Sequence, residues 1–377
     1  MNYKFIESDE ELKSVCEDLL KEKTIGVDLE ADSMHCFKEK ICLIQMASST
    51  QAFLIDPFEI KAVSPLITLL EDNRVIKVFH GADFDIRSLD RDYNARVNNL
   101  FDTEIACRFL GIKERGLAAL LKKNFDVDVD KKFQKVDWAR RPLNQDMIEY
   151  SVGDVAHLTQ LHDIIHQKLV ANGRLSWARE EFDIQTAVRY EDNHVLPLFK
   201  KFKGAGKMDN RSLAVLENLL QMRLLIARKK DQPLFKIISN ASLVTMAMSR
   251  PGTVDHMVKT NALSKRQADM YGNLCTDAIG RAMELAHNEL PSYPKTRRPK
   301  KDARVQERIE RLKKMREKLS GSLGIEPGFL LNNTMIDSIA VQNPATTEDL
   351  LKIEQLRKWQ VAAIGDKILL TLGFSKF

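Results

Sequence analysis

Residues 24–30 read TIGVDLE, a short apolar and β-branched run that ends in two acidic residues. Such a run predicts a β-strand. Similar runs at 41–47 (ICLIQMA), 52–56 (AFLID) and 75–79 (VIKVF) predict three more strands. Three of the four strands precede the first long helix, which we expect around 65–72, and later strand signals are separated by helices. This order predicts an α/β domain with a mixed sheet covered by helices, rather than a purely parallel sheet.

Acidic residues follow two of these strands. Asp28 and Glu30 end the first strand, and side chains two residues apart point to the same face, so the two carboxylates should lie side by side. The stretch HGADFDI at 80–86 follows the fourth strand and leads into a helix. Asp83 suits the first turn of that helix, where a carboxylate complements the helix dipole and acts as a cap, whereas Asp85, two residues further in, is harder to explain in this way.

A third acidic residue lies on a long amphipathic helix, which we predict from Asn144 to about Val170, with an end at Asn172. Tyr150 and Asp154 are four residues apart on this helix and therefore share one face. Each of the three acidic elements, taken alone, is also typical of a solvated surface or a cap.

The acidic residues become more informative when they are considered together. Asp28, Glu30, Asp85 and Asp154 could not all stay ionised at one place without cations between them. Hard oxygen ligands suit Mg²⁺ or Mn²⁺, and carboxylates that hold two such ions about 3.5–4 Å apart are typical of phosphodiester hydrolysis.

The composition excludes several other classes of protein. The chain has 377 residues, of which 44% are hydrophobic and 29% charged, as in globular proteins with two or three domains. It has no apolar run of the ~18 residues that a membrane span requires and no secretory leader, so we expect no membrane association. The five cysteines are scattered, which predicts reduced thiols and a cytoplasmic location.

The charge is distributed unevenly along the chain. Residues 1–180 carry 25 Lys and Arg against 31 Asp and Glu, whereas residues 181–377 carry 33 against 22. The basic half suggests a polyanionic partner such as nucleic acid. The most basic stretch, 295–318, holds 12 Lys and Arg against 4 acids; it is either a linker with a solvated helix or a surface that contacts phosphates.

The helical second half contains an internal repeat. Met222-Arg223, Pro233-x-Phe235, Asn240 and Pro251 recur as Met315-Arg316, Pro327-x-Phe329, Asn333 and Pro344. A period of this length predicts two tandem helical domains.

The motifs resemble those of a known family. DLE at 28–30, HGADFDI at 80–86, FDTEIA at 101–106 and YSVGD at 150–154 resemble the DEDD 3′→5′ exonucleases of the tyrosine subgroup. KKFQKVDWARRPL at 131–143, together with the repeat, is similar to bacterial ribonuclease D, whose helical modules are HRDC domains.

The resemblance implies a ribonuclease-H-like exonuclease fold followed by two all-α HRDC-type domains. The domain limits that we predict are 1–175 for the exonuclease domain, 176–208 for a connecting segment, 209–291 for the first HRDC domain and 292–377 for the second.

The resemblance also implies site residues. Asp28, Glu30 and Asp154 would hold one of two divalent ions, Mg²⁺ or Mn²⁺, with Asp28 bridging to the second and Asp85 completing the cluster. Tyr150 would orient the attacking water, because a phenol with a pKa of ~10 is mostly neutral at pH 7. Asp102 is interpreted as a helix cap.

Three further residues are assigned as substrate contacts. Met34 and Phe84 would pack against bases, although both could instead be core residues. His80 could contact the substrate or serve only as a hydrogen-bonded turn residue.

The predicted function is a metal-dependent 3′→5′ exoribonuclease that removes one nucleotide at a time. The implied partners are tRNA precursors or other structured RNA with a free 3′ end. Two alternatives are a 3′→5′ exonuclease that prefers DNA and a non-catalytic RNA-binding protein.

Overall fold

A computed structural model describes residues 1–129, 131–192, 195–294 and 302–374. Its six strands are β1 (Asn2–Ile6), β2 (Thr24–Ala31), β3 (Ile41–Ala47), β4 (Gln51–Ile55), β5 (Ile76–Phe79) and β6 (Leu100–Asp102). They form one sheet in the order β1-β4-β3-β2-β5-β6. β3 runs antiparallel to β2 and β4, and the other neighbours are parallel. The prediction of a mixed sheet is therefore confirmed.

The four predicted strands are present within one residue of their expected limits, and β1 and β6 are additional. The expectation that three strands precede the first helix is wrong, because α1 (Asp9–Leu19) follows β1 directly. The Ser8 side chain caps α1, and residues at helical spacing such as Leu12 and Leu19 are buried. This amphipathic pattern is visible in the sequence.

Seven more α-helices lie among the described residues up to residue 190. They are α2 (Ser64–Glu71), α3 (Asp83–Tyr93), α4 (Thr103–Phe109), α5 (Leu117–Phe125), α6 (Gln145–Ala156), α7 (Leu158–Ala171) and α8 (Leu175–Thr186). The single long helix predicted from Asn144 is wrong, because His157, with φ −114° and ψ 2°, separates α6 from α7. The predicted ends are confirmed, since Asn144 caps α6 and Asn172 follows α7.

The two faces of β2 have different neighbours. Ile25, Val27 and Leu29 belong to a core that includes α1, α2 and α3. The opposite face approaches the junction of α6 and α7 at Gly26, where an added Cβ would lie 2.9 Å from the Leu158 Cβ. Glycine at this position thus allows the junction of α6 and α7, and with it the helix α6 that carries Tyr150 and Asp154, to pack directly on β2.

The second half of the described chain is helical, as predicted. The first repeat comprises α9 (Asn210–Lys230), α10 (Leu234–Ile237), α11 (Asn240–Ser249), α12 (Val254–Lys259) and α13 (Lys265–Glu284). The second comprises α14 (Ala303–Leu323), α15 (Pro327–Leu330), α16 (Asn333–Gln342), α17 (Thr347–Leu351) and α18 (Lys358–Leu372). Of the basic stretch 295–318, residues 295–301 lie outside the described ranges, Asp302 caps α14, and residues 303–318 belong to α14.

The internal repeat is reproduced in side-chain contacts. Arg223 donates hydrogen bonds to the Ile238 carbonyl oxygen (2.9 Å) and to Asn240 Oδ1 (2.8 Å). Arg316 does the same in the second repeat, to the Leu331 carbonyl oxygen (3.1 Å) and Asn333 Oδ1 (3.0 Å). The repeated Arg and Asn therefore make the same contact in both repeats, and this contact fixes the segment between the first and third helices of each repeat.

The chain divides into two compact units. One contains residues 1–31, 41–190 and the described residues from 302 onward; the other contains 32–40 and the described residues from 191 to 294. The second repeat thus belongs to the same unit as the sheet. The predicted domain limits at 175, 208 and 291 remain a prediction.

The second repeat packs on α4 and α8 through aromatic rings and helix ends. Trp359 contacts Phe109 (ring centroids 5.0 Å apart) and Trp177 (5.6 Å). The Glu180 carboxylate accepts from the backbone N–H groups of Lys358 and Trp359, both at 2.7 Å, where α18 begins. No helix within the described ranges has the length and apolarity that a bilayer crossing needs.

Candidate active site

Three of the predicted carboxylates converge at the end of β2. Carboxylate oxygens of Asp28, Glu30 and Asp154 all lie within 4.8 Å of one another. Asp28 and Glu30 share one face of β2, and Asp154 lies on α6, which packs on that face. This arrangement resembles the oxygen-rich sites that bind hard divalent cations.

The local backbone directs these side chains. β2 pairs with β3 with Asp28 opposite Gln45, and the register shifts between Glu30 and Ala31. The shift leaves Cys42 of β3 without a partner on β2, so the irregularity lies on β3, next to the acidic end of β2.

Asp85 lies in the first turn of α3 and is 6% exposed. It is not among the three carboxylates that meet within 4.8 Å. Its charge nevertheless raises the pKa of Glu30, and burial together with the charge of Asp28 raises the pKa of Asp85 well above its ordinary value. Asp85 therefore interacts with the cluster electrostatically, from outside the tight group of three.

The cluster carries more negative charge than its surroundings can stabilise. Burial raises the pKa of Asp28 to about 7, and burial with the charge of Asp28 raises that of Asp154 to about 8. Burial, then the charges of the other three acids, raises the pKa of Glu30 to about 10. A bound cation would reverse these shifts by favouring the charged carboxylates. The donor set and the excess charge thus fit a divalent metal.

Tyr150 lies beside this cluster on α6. Its hydroxyl donates a hydrogen bond to the Asp154 carboxylate, as their spacing of four residues predicts. Burial and then the nearby acidic charges raise the pKa of Tyr150 far above its ordinary value. The phenol therefore remains neutral at any physiological pH and does not act as a strong base.

The predicted substrate contacts have different environments. His80 Nδ1 lies 2.9 Å from Thr103 Oγ1, and the Thr103 hydroxyl donates to the Phe79 carbonyl oxygen (3.0 Å), so Nδ1–H is the donor to Thr103. Phe84 and Met34 are 44% and 40% exposed, so neither is a core residue. Met34 belongs to the unit of the first repeat, and Phe84 to the unit of the sheet. Contact of these residues with a substrate stays a prediction.

Two predicted caps have different outcomes. The Asp102 carboxylate accepts from the N–H groups of Glu104 and Ile105 at the start of α4, which confirms its cap role. It also accepts from Gly81 and Ala82, at 3.0 and 2.8 Å, and so fixes the turn before α3. Asp83 lies in the first turn of α3, as predicted, but its side chain caps no backbone N–H group and pairs with Arg87 instead.

Sequence reasoning missed two features of the site. Gln45 is fully buried opposite Asp28, and its amide N and O have no hydrogen-bond partner among the described residues. The only sequence signal is a polar residue inside the apolar run ICLIQMA. The second feature is Arg141, which forms an ion pair with the buried Asp56. It lies in the KKFQKVDWARRPL motif, but the motif does not reveal its partner.

Comparison with known proteins agrees with this geometry. Residues 3–170 match a family described as 3′-5′ exonuclease, and residues 212–279 and 305–372 each match the HRDC domain. Ribonuclease D of Sphingobium indicum is 30% identical over 357 residues, covering 92% of this chain and 89% of that protein. Ribonuclease D of Desulfotalea psychrophila is 29% identical over 337 residues, covering 89% of each.

The fold comparison extends over the whole chain. The crystal structure of Escherichia coli RNase D, described as an exoribonuclease involved in structured RNA processing, covers 99% of both chains with a TM-score of 0.75 and 23% identity. The family resemblance and the predicted fold class are confirmed, and neither the DNA-preferring nor the non-catalytic alternative is favoured. The exonuclease fold implies use of divalent metal, with which the acidic cluster is compatible. The chain therefore belongs to the ribonuclease D family and is a 3′→5′ exoribonuclease.

Proposed function

We propose that Asp28, Glu30, Asp85 and Asp154 bind two divalent ions, Mg²⁺ or Mn²⁺, and that the enzyme trims the 3′ ends of structured RNA such as tRNA precursors. The observation that carries the metal site is the convergence of three carboxylates within 4.8 Å. Asp28, Glu30 and Asp154 would hold one ion, Asp28 and Asp85 would serve the second, and the ions would supply the charge that the four carboxylates need.

The bound ions supply an activated water and stabilise the leaving 3′ oxygen. The protein contributes the position of the reacting groups. Tyr150 stays neutral because burial and the surrounding acidic charge raise its pKa. Its oxygen, oriented by the bond to Asp154, accepts a hydrogen bond from the attacking water and aligns it with the phosphodiester.

Two residues of the sheet unit, Phe84 and His80, are proposed to contact the 3′-terminal nucleotides. Phe84 exposes an apolar side chain that can pack on an unstacked base. Met34, which belongs to the other unit, is proposed separately as an apolar base contact. His80 uses Nδ1–H to bind Thr103, which leaves Nε2 as an acceptor for a hydroxyl donor such as a ribose 2′-OH. Burial also lowers the pKa of His80, which favours this neutral form.

The substrate proposal has separate support. The Escherichia coli relative is described as acting in structured RNA processing. The basic second half of this chain suits a folded polyanion. None of the five cysteines, all of which lie within the described ranges, forms a disulfide, in line with the proposed cytoplasmic location.

The experiment that tests this proposal uses a 5′-labelled RNA with a stable stem followed by a single-stranded 3′ tail. With Mg²⁺ or Mn²⁺ we expect a ladder that shortens from the 3′ end and stops a few nucleotides before the stem. EDTA and Asp28→Asn should abolish the ladder. Asp126→Asn is the matched control, because the Asp126 side chain is 89% exposed and pairs with Lys122 outside the site.

Three results would contradict the proposal. If the Asp28→Asn enzyme were as active as the wild type, the Asp28 carboxylate would not be needed for catalysis. Complete digestion through the stem would refute the requirement for a single-stranded 3′ end. Titration calorimetry with Mn²⁺ counts the ions, and a single site would reject the two-ion arrangement.

A further inference from the structure

We infer that Arg141, through its ion pair with Asp56, is a positioning residue for Tyr150. The inference rests on the proposed role of Tyr150 in orienting the attacking water. It concerns a chain of contacts from the edge of the sheet to the phenol ring, and every residue in that chain belongs to the same compact unit.

The Tyr150 ring is held from the side by two aromatic residues. Its centroid lies 5.5 Å from that of Phe133 and 6.1 Å from that of Trp138. Both neighbours are buried and come from the segment 131–143, which precedes α6. The direction of the phenol hydroxyl therefore depends on where this segment lies, as well as on the turn of α6 that carries Tyr150.

Trp138 has no polar anchor on its ring. The side chain is 1% exposed, yet its indole N–H has no hydrogen-bond acceptor among the described residues. The ring is therefore held by packing and by the backbone that carries it. The carbonyl oxygen of that backbone accepts a hydrogen bond from Arg141.

The Arg141 guanidinium connects the segment to two strands. Its Nη1 donates to the Trp138 carbonyl oxygen (2.8 Å), and its Nη2 donates to the Cys42 carbonyl oxygen on β3 (2.6 Å). Nε and Nη2 also form a two-pronged ion pair with Asp56, at 2.5 and 2.8 Å, directly after β4. One side chain thus fastens the carbonyl of Trp138 to the sheet.

The geometry requires arginine rather than any cation. The planar guanidinium offers several N–H groups in fixed directions, which match the Asp56 carboxylate and two carbonyl oxygens at once. The Asp56 side chain is 3% exposed, so its charge has little access to water and depends on Arg141. A lysine ammonium keeps the charge but cannot serve all of these acceptors from one position.

The test is a double-mutant cycle between Arg141 and Tyr150, with kcat and KM measured on single-stranded RNA. Tyr150→Phe should lower kcat about 100-fold, as expected when the group that aligns the attacking water is lost. Arg141→Lys should lower kcat about tenfold with KM changed less than twofold, as expected of misplacement rather than lost binding. In the Tyr150→Phe background, Arg141→Lys should lower kcat less than twofold, because the group it positions is already disabled.

Arg74→Lys is the matched control. Arg74 forms a similar two-pronged pair with Asp72, but its side chain is 77% exposed and the pair lies before β5, away from Tyr150. The kcat of Arg74→Lys should equal that of the wild type. Asp56→Asn disrupts the same ion pair from its other side and replaces Arg141→Lys if that variant folds poorly. It should likewise lower kcat in the wild-type background but not in the Tyr150→Phe background. Circular dichroism and Mn²⁺ titration verify that each variant is folded and binds metal as the wild type does.

The outcomes separate the inference from the proposed function. Equal losses of kcat from Arg141→Lys in both backgrounds would overturn the inference, since a general structural defect acts regardless of Tyr150. Full activity of Arg141→Lys and Asp56→Asn alongside an impaired Tyr150→Phe would overturn it while leaving the role of Tyr150 intact. A fully active Tyr150→Phe would reject the role of Tyr150 itself, and the inference with it.

Discussion

Replacing Gly111 with alanine tests whether the second helical repeat is an integral part of the catalytic unit. Gly111 follows α4 with φ +69°, and a Cβ added there would lie 2.5 Å from the carbonyl oxygen of Gly324, which ends α14. Because that neighbour is backbone, no side-chain rotation can relieve the clash. Either α4 or α14 must shift.

The magnitude has two parts. A non-glycine residue in the left-handed region costs about 1–2 kcal/mol. The forced backbone shift adds about 1–3 kcal/mol, as in other overpacked contacts. Gly173→Ala isolates the first part, because Gly173 has φ +65° but nothing within 4 Å of its added Cβ. The loss of chain freedom in the unfolded state is the same for both variants and cancels in the comparison.

The assay is differential scanning calorimetry of the full chain. We expect Gly111→Ala to lower the melting temperature of the catalytic unit more than Gly173→Ala does, by about 2–4 °C for each additional kcal/mol. Equal losses would refute the reasoning, because they would mean that α14 does not approach α4 closely in solution.

Three further predictions concern the site and the second repeat. Without metal, the raised pKa values of Asp28 (about 7) and Asp154 (about 8) mean that the folded state retains protons that the unfolded state has released. Stability in EDTA should therefore fall as the pH rises from about 5 to 8, and Mn²⁺ should remove the fall; melting curves independent of pH in EDTA would contradict this. Gln45→Met removes two buried amide atoms without partners and should raise the free energy of unfolding by about 1–2 kcal/mol in urea titrations; a decrease would mean that the amide is satisfied in solution. Glu180→Ala removes the acceptor of two N–H groups at the start of α18 and should lower the free energy of unfolding by about 1–2 kcal/mol in the same titrations. An unchanged free energy of unfolding would mean that this contact does not stabilise the packing of the second repeat on α8.

Local features of the fold follow from the sequence because they depend on short-range periodicity. The two-residue repeat of a strand places Asp28 and Glu30 on one face, and the four-residue spacing on a helix brings Tyr150 to Asp154. The cap at Asp102 follows from side-chain chemistry next to a helix start. These predictions needed no knowledge of the rest of the chain.

The helical repeats were also predictable, for a different reason. The same residues recur at a nearly constant separation, and the recurrence of Arg223 and Arg316 reflects one contact made twice. A repeat in the sequence predicts a repeated structure even where the contact itself is unknown.

The tertiary structure alone decided which distant residues meet. The break at His157, the contact of Arg141 with Asp56 across 85 residues and the burial of Gln45 opposite Asp28 depend on how strands and helices pack, and no local pattern specifies them. The same holds for the second repeat, whose sequence predicts a helical domain but not that it shares a compact unit with the sheet. Periodicity specifies which face of an element is apolar, whereas the partner of that face is selected by the packing of the whole chain.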